Sequence, residues 1–419
     1  MIRIVGSRGP ACSHRRGYTL VEVMVALGLS VLTMWMLAEA FRIGLEMIGQ
    51  ARAQANLMTQ LNAVGTILHR DLVVAHPFLP DDSRPNRGLR LSDQRLDLLT
   101  ADRQGWTPPP GGFFRIVSPD SASIPDNEGL NIYTADNHAL HFTAILPANE
   151  TNLFHARVNF IDMGGNPLVK EYESRAAEIA YFLVHTGNNT PGGSPLYNLI
   201  RRQRLVAIDN NSRTSLLHPV NVTPANNPEY ECSIALGPSG PVTLREIRNP
   251  DNRLQLPPPR VSVPSPPSLP PLPPFSLPIP QLPQQVQAPW IFPSGSPNHG
   301  ADILLSNVLS FEVRVDWDPN PNVILNSSNP PRSLPENAEY PYDNLTANIG
   351  RNPAFQVQLE PPPAPPRCTV FDTWYDQPNW NTTFATLPLA IRVRGIQVSV
   401  RVFDPKTRAV RQNTWRFAL

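Results

Sequence analysis

Glu22 is the residue from which chemistry is most expected. It lies in the run Tyr18–Ala38, where the only other ionisable side chain is that of Tyr18. These 21 residues, rising ~1.5 Å each, would cover ~30 Å as a helix, the thickness of a bilayer's hydrocarbon core. A carboxylate at that depth is unfavourable unless a cation pairs with it. Arg3, Arg8, His14, Arg15 and Arg16 precede the run, a basic flank that stays cytoplasmic and directs the remainder outward. No small-residue cleavage site follows the apolar run, as a secretory signal would require. The expected cut lies ahead of it, at Gly17–Tyr18. That cut would leave the hydrophobic segment in place and create an amine on Tyr18. The amine has the right charge to pair with Glu22, in the same helix or from a neighbour in a helical stack.

Other constellations carry less. His69-Arg-Asp-Leu72 has the order of a kinase catalytic loop, but His76 stands where a metal-holding Asn is needed, and no Gly-rich phosphate loop precedes it. Arg70 and Asp71 are expected to be surface residues of a helix. Asp316-Trp-Asp-Pro-Asn-Pro-Asn322 alternates oxygen ligands but lacks the Gly and closing Glu of a calcium loop. His138 and His141 fall in a strand-like segment that would turn them to opposite faces, against a shared metal. With no Gly-x-Ser-x-Gly, His-Glu-x-x-His or Cys-x-x-Cys, no catalytic residue, metal or cofactor is expected. Cys12 would leave with the leader, and Cys232 and Cys368 are then one disulfide or two buried thiols.

The elements that must position Glu22 follow from periodicity. No proline interrupts the chain from Tyr18 to Pro77, so one helix is expected over residues 18–76, its first part (18–38) transmembrane. Beyond the membrane Phe41, Leu45, Ile48, Ala51, Ala55, Met58, Leu61, Leu68 and Leu72 form an apolar stripe. Its distal half is expected against a head domain, its proximal half between filament subunits. The head reads as an antiparallel β-sheet in two parts, 77–256 and 301–419, around a Pro-rich insertion or linker at 257–300. Glu178–Val184 and Leu199–Arg204 read as a hairpin, and Asp302–Val308 as a helical turn or two. Apolar parity switches at Gly395 in Ile391–Phe403, so a β-bulge is expected there. The fold class is therefore α+β. Fifty prolines among 419 residues argue against long helices beyond the first. A net charge of +1 makes no bulk electrostatic case for nucleic acid.

Gly17-Tyr-Thr-Leu-Val-Glu22 before an apolar helix resembles the type IV prepilin cleavage and methylation motif, with Tyr18 where Phe is more usual. The resemblance implies a leader of residues 1–17, cleavage after Gly17 by a prepilin peptidase, N-methylation of Tyr18, and use of Glu22 in assembly with other pilin or pseudopilin subunits. It implies an inner-membrane anchor with the head outside the cytoplasm. Leu304-Leu-Ser-Asn-Val-Leu-Ser-Phe-Glu-Val-Arg314 and Leu387-Pro-Leu-Ala-Ile-Arg-Val393 resemble segments of J-type minor pseudopilins of type II secretion and of PilW-like minor pilins. A structural minor subunit at or near a filament tip is the expected function. The alternative is a binding module that uses Trp106, Trp290, Trp374 or Trp380.

Overall fold

The computed structural model describes residues 19–73, 111–119, 137–146, 153–249 without 221 and 223–226, 252–254 with 256, 291–318 without 297, and 392–418. It also describes the backbone of short strands at 324–325, 332–333, 356–357 and 368–372. The chain divides into two units, Met1–Leu57 and Met58–Leu419.

Helix α1 runs Leu20–Val73 without a break, as the absence of proline requires. In the first unit its large apolar side chains are exposed, Leu20, Met34 and Phe41 among them. Two hydroxyls of this stretch are satisfied within the helix. Ser30 Oγ donates to Ala26 O at 2.8 Å, and Thr33 Oγ1 donates to Ser30 O at 2.9 Å. A lipid environment demands such internal bonding. Immediately beyond the apolar run, Arg42 bridges Glu39 at 2.6 Å and Glu46 at 3.6 Å, one turn to either side.

In the second unit the strands are β1 (Phe114–Pro119), β2 (Ala139–Ile145), β3 (Phe154–Ile161), β4 (Pro167–Ser174), β5 (Ala176–Asn189), β6 (Pro195–Val206), β7 (Leu236–Gly237) and β8 (Gly240–Pro241). They continue with β9 (Ile303–Asp318), β10 (Ile324–Leu325), β11 (Arg332–Ser333), β12 (Gln356–Val357), β13 (Cys368–Asp372), β14 (Arg392–Asp404) and β15 (Ala409–Ala418). A short helix α2 (Pro228–Ser233) lies between β6 and β7. Nine strands form one sheet in the order β12-β13-β1-β2-β5-β6-β9-β14-β15, with every ladder antiparallel. Strands from both sides of the Pro-rich stretch therefore share one sheet. Segments 252–254 and 291–302, on either side of the stretch, bond to adjacent strands: Glu178 of β5 accepts from Leu254 N, and Arg202 of β6 pairs with Asp302.

The central strands β2, β5 and β6 are buried on both faces. On one, the distal turns of α1 lay Leu61, Val64, Leu68 and Leu72 against it, while Met58 stays half-exposed. Gly65 lets the helix approach β15: a Cβ there would stand 2.2 Å from the Trp415 indole nitrogen. The other face is covered by Phe113, Ala235, Val242, Leu244 and Ile247 around Ala176 and Val206, and by Leu254 and Leu256 around Ala180, Phe182 and Ile200. This double burial explains the near-continuous apolar run of β5.

The expected hairpin is present, with Glu178 opposite Arg204 and Leu183 opposite Leu199. So is the expected bulge: the register of β14 on β9 slips between Val393 and Gly395. One expectation is corrected. Residues 303–308 begin strand β9 instead of forming helical turns. Their apolar groups fit sheet positions, Leu305 opposite Leu199 and Val308 opposite Tyr197. A second bulge, near Asn307 in the left-handed region (φ 58), turns Leu309 away from Phe311 and into a cluster with Leu196 and Phe403.

Candidate functional site: the amino-terminal helix and the charges that hold the head

Thr19 and Glu22 bind each other reciprocally at the start of α1. Glu22 Oε2 accepts from Thr19 N at 2.9 Å and from Thr19 Oγ1 at 3.1 Å, and Thr19 Oγ1 accepts from Glu22 N at 3.3 Å. Val23 N donates to Thr19 O at 3.2 Å, the first bond of the helix. This is a capping box, which satisfies two of the donors that a helix start leaves open. Its signal, Thr-x-x-Glu, sits inside the motif and was missed by a reading that sought a charge partner for Glu22. Both bonds to the carboxylate land on Oε2, so Oε1 accepts nothing from the described residues. A cation arriving at the helix start therefore has an oxygen to meet without dismantling the cap. Gly17 and Tyr18 lie outside the described residues.

The head holds charged groups deep in its sheet. Asp71, expected at the surface, is buried instead. Its Oδ2 accepts from Tyr181 Oη at 2.5 Å and from Arg201 Nε at 2.6 Å, and its Oδ1 accepts from Arg70 at 3.1 Å. Tyr181 faces Arg201 across β5 and β6, so the two present their donors side by side to the last turn of α1. Burial pushes the Tyr181 hydroxyl well above its usual range, and the Asp71 charge adds to this. The hydroxyl stays protonated and donates.

On the opposite face Glu178 Oε1 accepts from His141 Nε2 at 2.8 Å and from Leu254 N at 2.7 Å, and Oε2 accepts from Arg204 Nε at 2.6 Å. Burial opposes ionisation of Glu178, but Arg204 and His141 outweigh it and hold its pKa at about 2. Burial lowers the pKa of His141 despite Glu178, with Arg115 and Arg253 adding to the depression. The ring is therefore neutral and donates from Nε2. The His141 ring packs edge-on against Phe113, centroids 4.7 Å apart. A buried acid with both oxygens bonded braces the fold.

Acid should accordingly weaken the head. Both folded pKa values lie below the unfolded ones, so the stability is present above the unfolded pKa and disappears as pH falls. His141 acts below pH 6.5, and Glu178 acts from 4.5 toward about 2. We expect the melting temperature of the full chain in detergent to fall between pH 7 and 5. His141→Gln, which can still donate to Glu178, should flatten that part of the curve. An unchanged slope in the variant would assign the acid sensitivity elsewhere.

His138 and His141 do not converge. His138 Nδ1 lies against the backbone of Val313 on β9, whereas His141 meets Glu178. No group of three or more His, Cys, Asp or Glu is placed to hold a metal among the described residues. Cys232 is buried, its thiol 3.7 Å from Ile291 O and its pKa pushed up to about 11, chiefly by burial. The side chain of Cys368 on β13 and the four tryptophans named for a binding patch lie outside the described residues.

An amino-terminal helix long and apolar enough to cross a membrane is followed by an antiparallel sheet, an α+β arrangement that together with the motif below suggests a membrane-anchored protein. Residues 12–38 match the prokaryotic N-terminal methylation motif, which supports a type IV pilin-like protein, a pilin or pseudopilin subunit. The motif suggests a structural subunit. The motif implies processing by a prepilin peptidase and assembly with other pilins. No curated protein and no solved structure matches the chain.

Proposed function

We propose that this protein is a minor pilin or pseudopilin placed at or near the tip of a type II secretion or type IV pilus-like filament. The capping box at Thr19 and Glu22, with one carboxylate oxygen left over, carries the reading. Cleavage after Gly17 frees the amine of Tyr18 next to the capped turn, and the amine of this chain or of a neighbour pairs with Glu22. Pairing offsets the desolvation of both groups and sets the axial register of adjacent helices. The exposed apolar surface of the first unit of α1 exchanges lipid for neighbouring helices when the subunit is extracted. The head remains outside the cytoplasm. Its size favours an end position, where lateral packing does not repeat. Pairing of Cys232 with Cys368 across the Pro-rich insertion belongs to the same extracytoplasmic reading.

Intact mass and amino-terminal sequencing of the chain recovered from native membranes test the proposal. A chain beginning at N-methylated Tyr18 is the expected result. Retention of Met1 in cells with an active prepilin peptidase would overturn it.

A further inference from the structure

We infer that Thr19 is a positioning residue for cleavage of the leader, its hydroxyl halting α1 short of Gly17 and so keeping the scissile carbonyl free. This rests on the cleavage after Gly17 proposed above and concerns what prepares the chain for it.

α1 opens at Leu20, with Thr19 just outside it. Its first bond runs from Val23 N to Thr19 O at 3.2 Å. One residue earlier, the same i to i−4 pattern would join Glu22 N to the carbonyl of Tyr18, and one earlier again Val21 N to the carbonyl of Gly17. The first of these steps is blocked, because Glu22 N donates to Thr19 Oγ1 at 3.3 Å. Glu22 Oε2 holds that hydroxyl in place at 3.1 Å and accepts from Thr19 N at 2.9 Å. The sequence immediately ahead supplies no other stop. Arg15 and Arg16 are good helix formers, and Gly17 weakens a helix without ending it.

Hydrolysis needs the Gly17 carbonyl free. Water adds to its carbon, its oxygen takes up negative charge that donors of the peptidase stabilise, and the Gly17–Tyr18 bond then breaks. The leader departs with a carboxyl group on Gly17, and a proton released by the water passes to the new amine of Tyr18. A Gly17 oxygen bonded to Val21 N would instead lie along the helix axis, closed off by the turn above it. The peptidase would first have to unwind that turn. A chain whose competent form is only fractionally populated binds more weakly in proportion. By ending the helix at its own position, Thr19 keeps that fraction high.

Removal of the leader from the full chain in detergent micelles by a prepilin peptidase measures the effect. Thr19→Val keeps the shape and loses the hydroxyl, so kcat/KM should fall about threefold to thirtyfold, the worth of an N-cap. Thr19→Ser and Thr19→Asn keep a capping oxygen and should stay within about twofold of the unmodified chain. In the Val variant the carbonyl carbon resonance of Gly17 should move to its helical position, with the melting temperature of the head unchanged. Cleavage of Thr19→Val at the parental rate overturns the inference, as does an unmoved resonance. Cleavage of Thr19→Asn as slow as that of Thr19→Val also overturns it, because the peptidase then reads threonine by its shape. An unmodified chain that is not cut at Gly17 overturns the proposed function as well, an outcome the variants alone do not give.

Discussion

Asp71→Ala is expected to destabilise the head by about 3–5 kcal/mol, the range found when one partner of a buried ion pair is removed. Asp71 and the guanidinium of Arg201 are both withdrawn from water, and Tyr181 donates to the same carboxylate oxygen. Alanine would leave a buried cation and a buried hydroxyl without their acceptor, and would detach the last turn of α1 from β5 and β6. At about 2–4 °C per kcal/mol the melting temperature would drop by about 6–20 °C. Tyr181→Phe removes one donor and leaves the ion pair, so it should cost only about 1–2 kcal/mol. Asp71→Leu combined with Arg201→Met removes both charges and should lose less than Asp71→Ala alone. Denaturant unfolding followed by tryptophan fluorescence measures all three. A loss below about 1 kcal/mol for Asp71→Ala would mean that water reaches Arg201 readily and the triad is no clamp.

The second large effect concerns Glu22 and distinguishes two roles for one carboxylate. Gln serves in a capping box as well as Glu, so Glu22→Gln keeps the reciprocal bonds to Thr19 and removes only the charge. Glu22→Leu removes both. Under the proposed assembly, both variants insert in the membrane and are processed, but neither pairs with a subunit amine. The neutral group leaves that amine uncompensated, a loss on the order of 3 kcal/mol and so about a hundredfold in incorporation. Quantitative blotting of sheared filament fractions against membrane fractions reads this out. Normal incorporation of Glu22→Gln would reduce Glu22 to a helix cap. A difference between the Gln and Leu variants would measure the cap, about 0.5–2 kcal/mol.

The local signals in this chain were legible. A proline-free apolar run specifies one helix, and Leu61, Leu68 and Leu72 at helical spacing mark the face that the head buries. The parity switch in Ile391–Phe403 announces the bulge beside Gly395, because strand side chains alternate strictly and only an extra residue restores the buried face. Asp302–Val308 misled because short apolar runs fit either period, and only the ladders to β6 and β14 show which one holds.

What the sequence by itself determined is the apolar amino-terminal helix, the basic flank ahead of it and the methylation motif over residues 12–38. These depend on residues within a few turns of one another and on the chain's affinity for lipid. The tertiary structure alone decided the fate of the buried charges. Asp71 reads as a helix surface residue until Tyr181 and Arg201, separated from it by 110 and 130 residues, close over it. Glu178 likewise becomes a brace only once β2, β6 and the segment before the Pro-rich stretch surround it. Pairing over such distances leaves no periodic trace, because it is fixed by strand order and not by spacing along the chain.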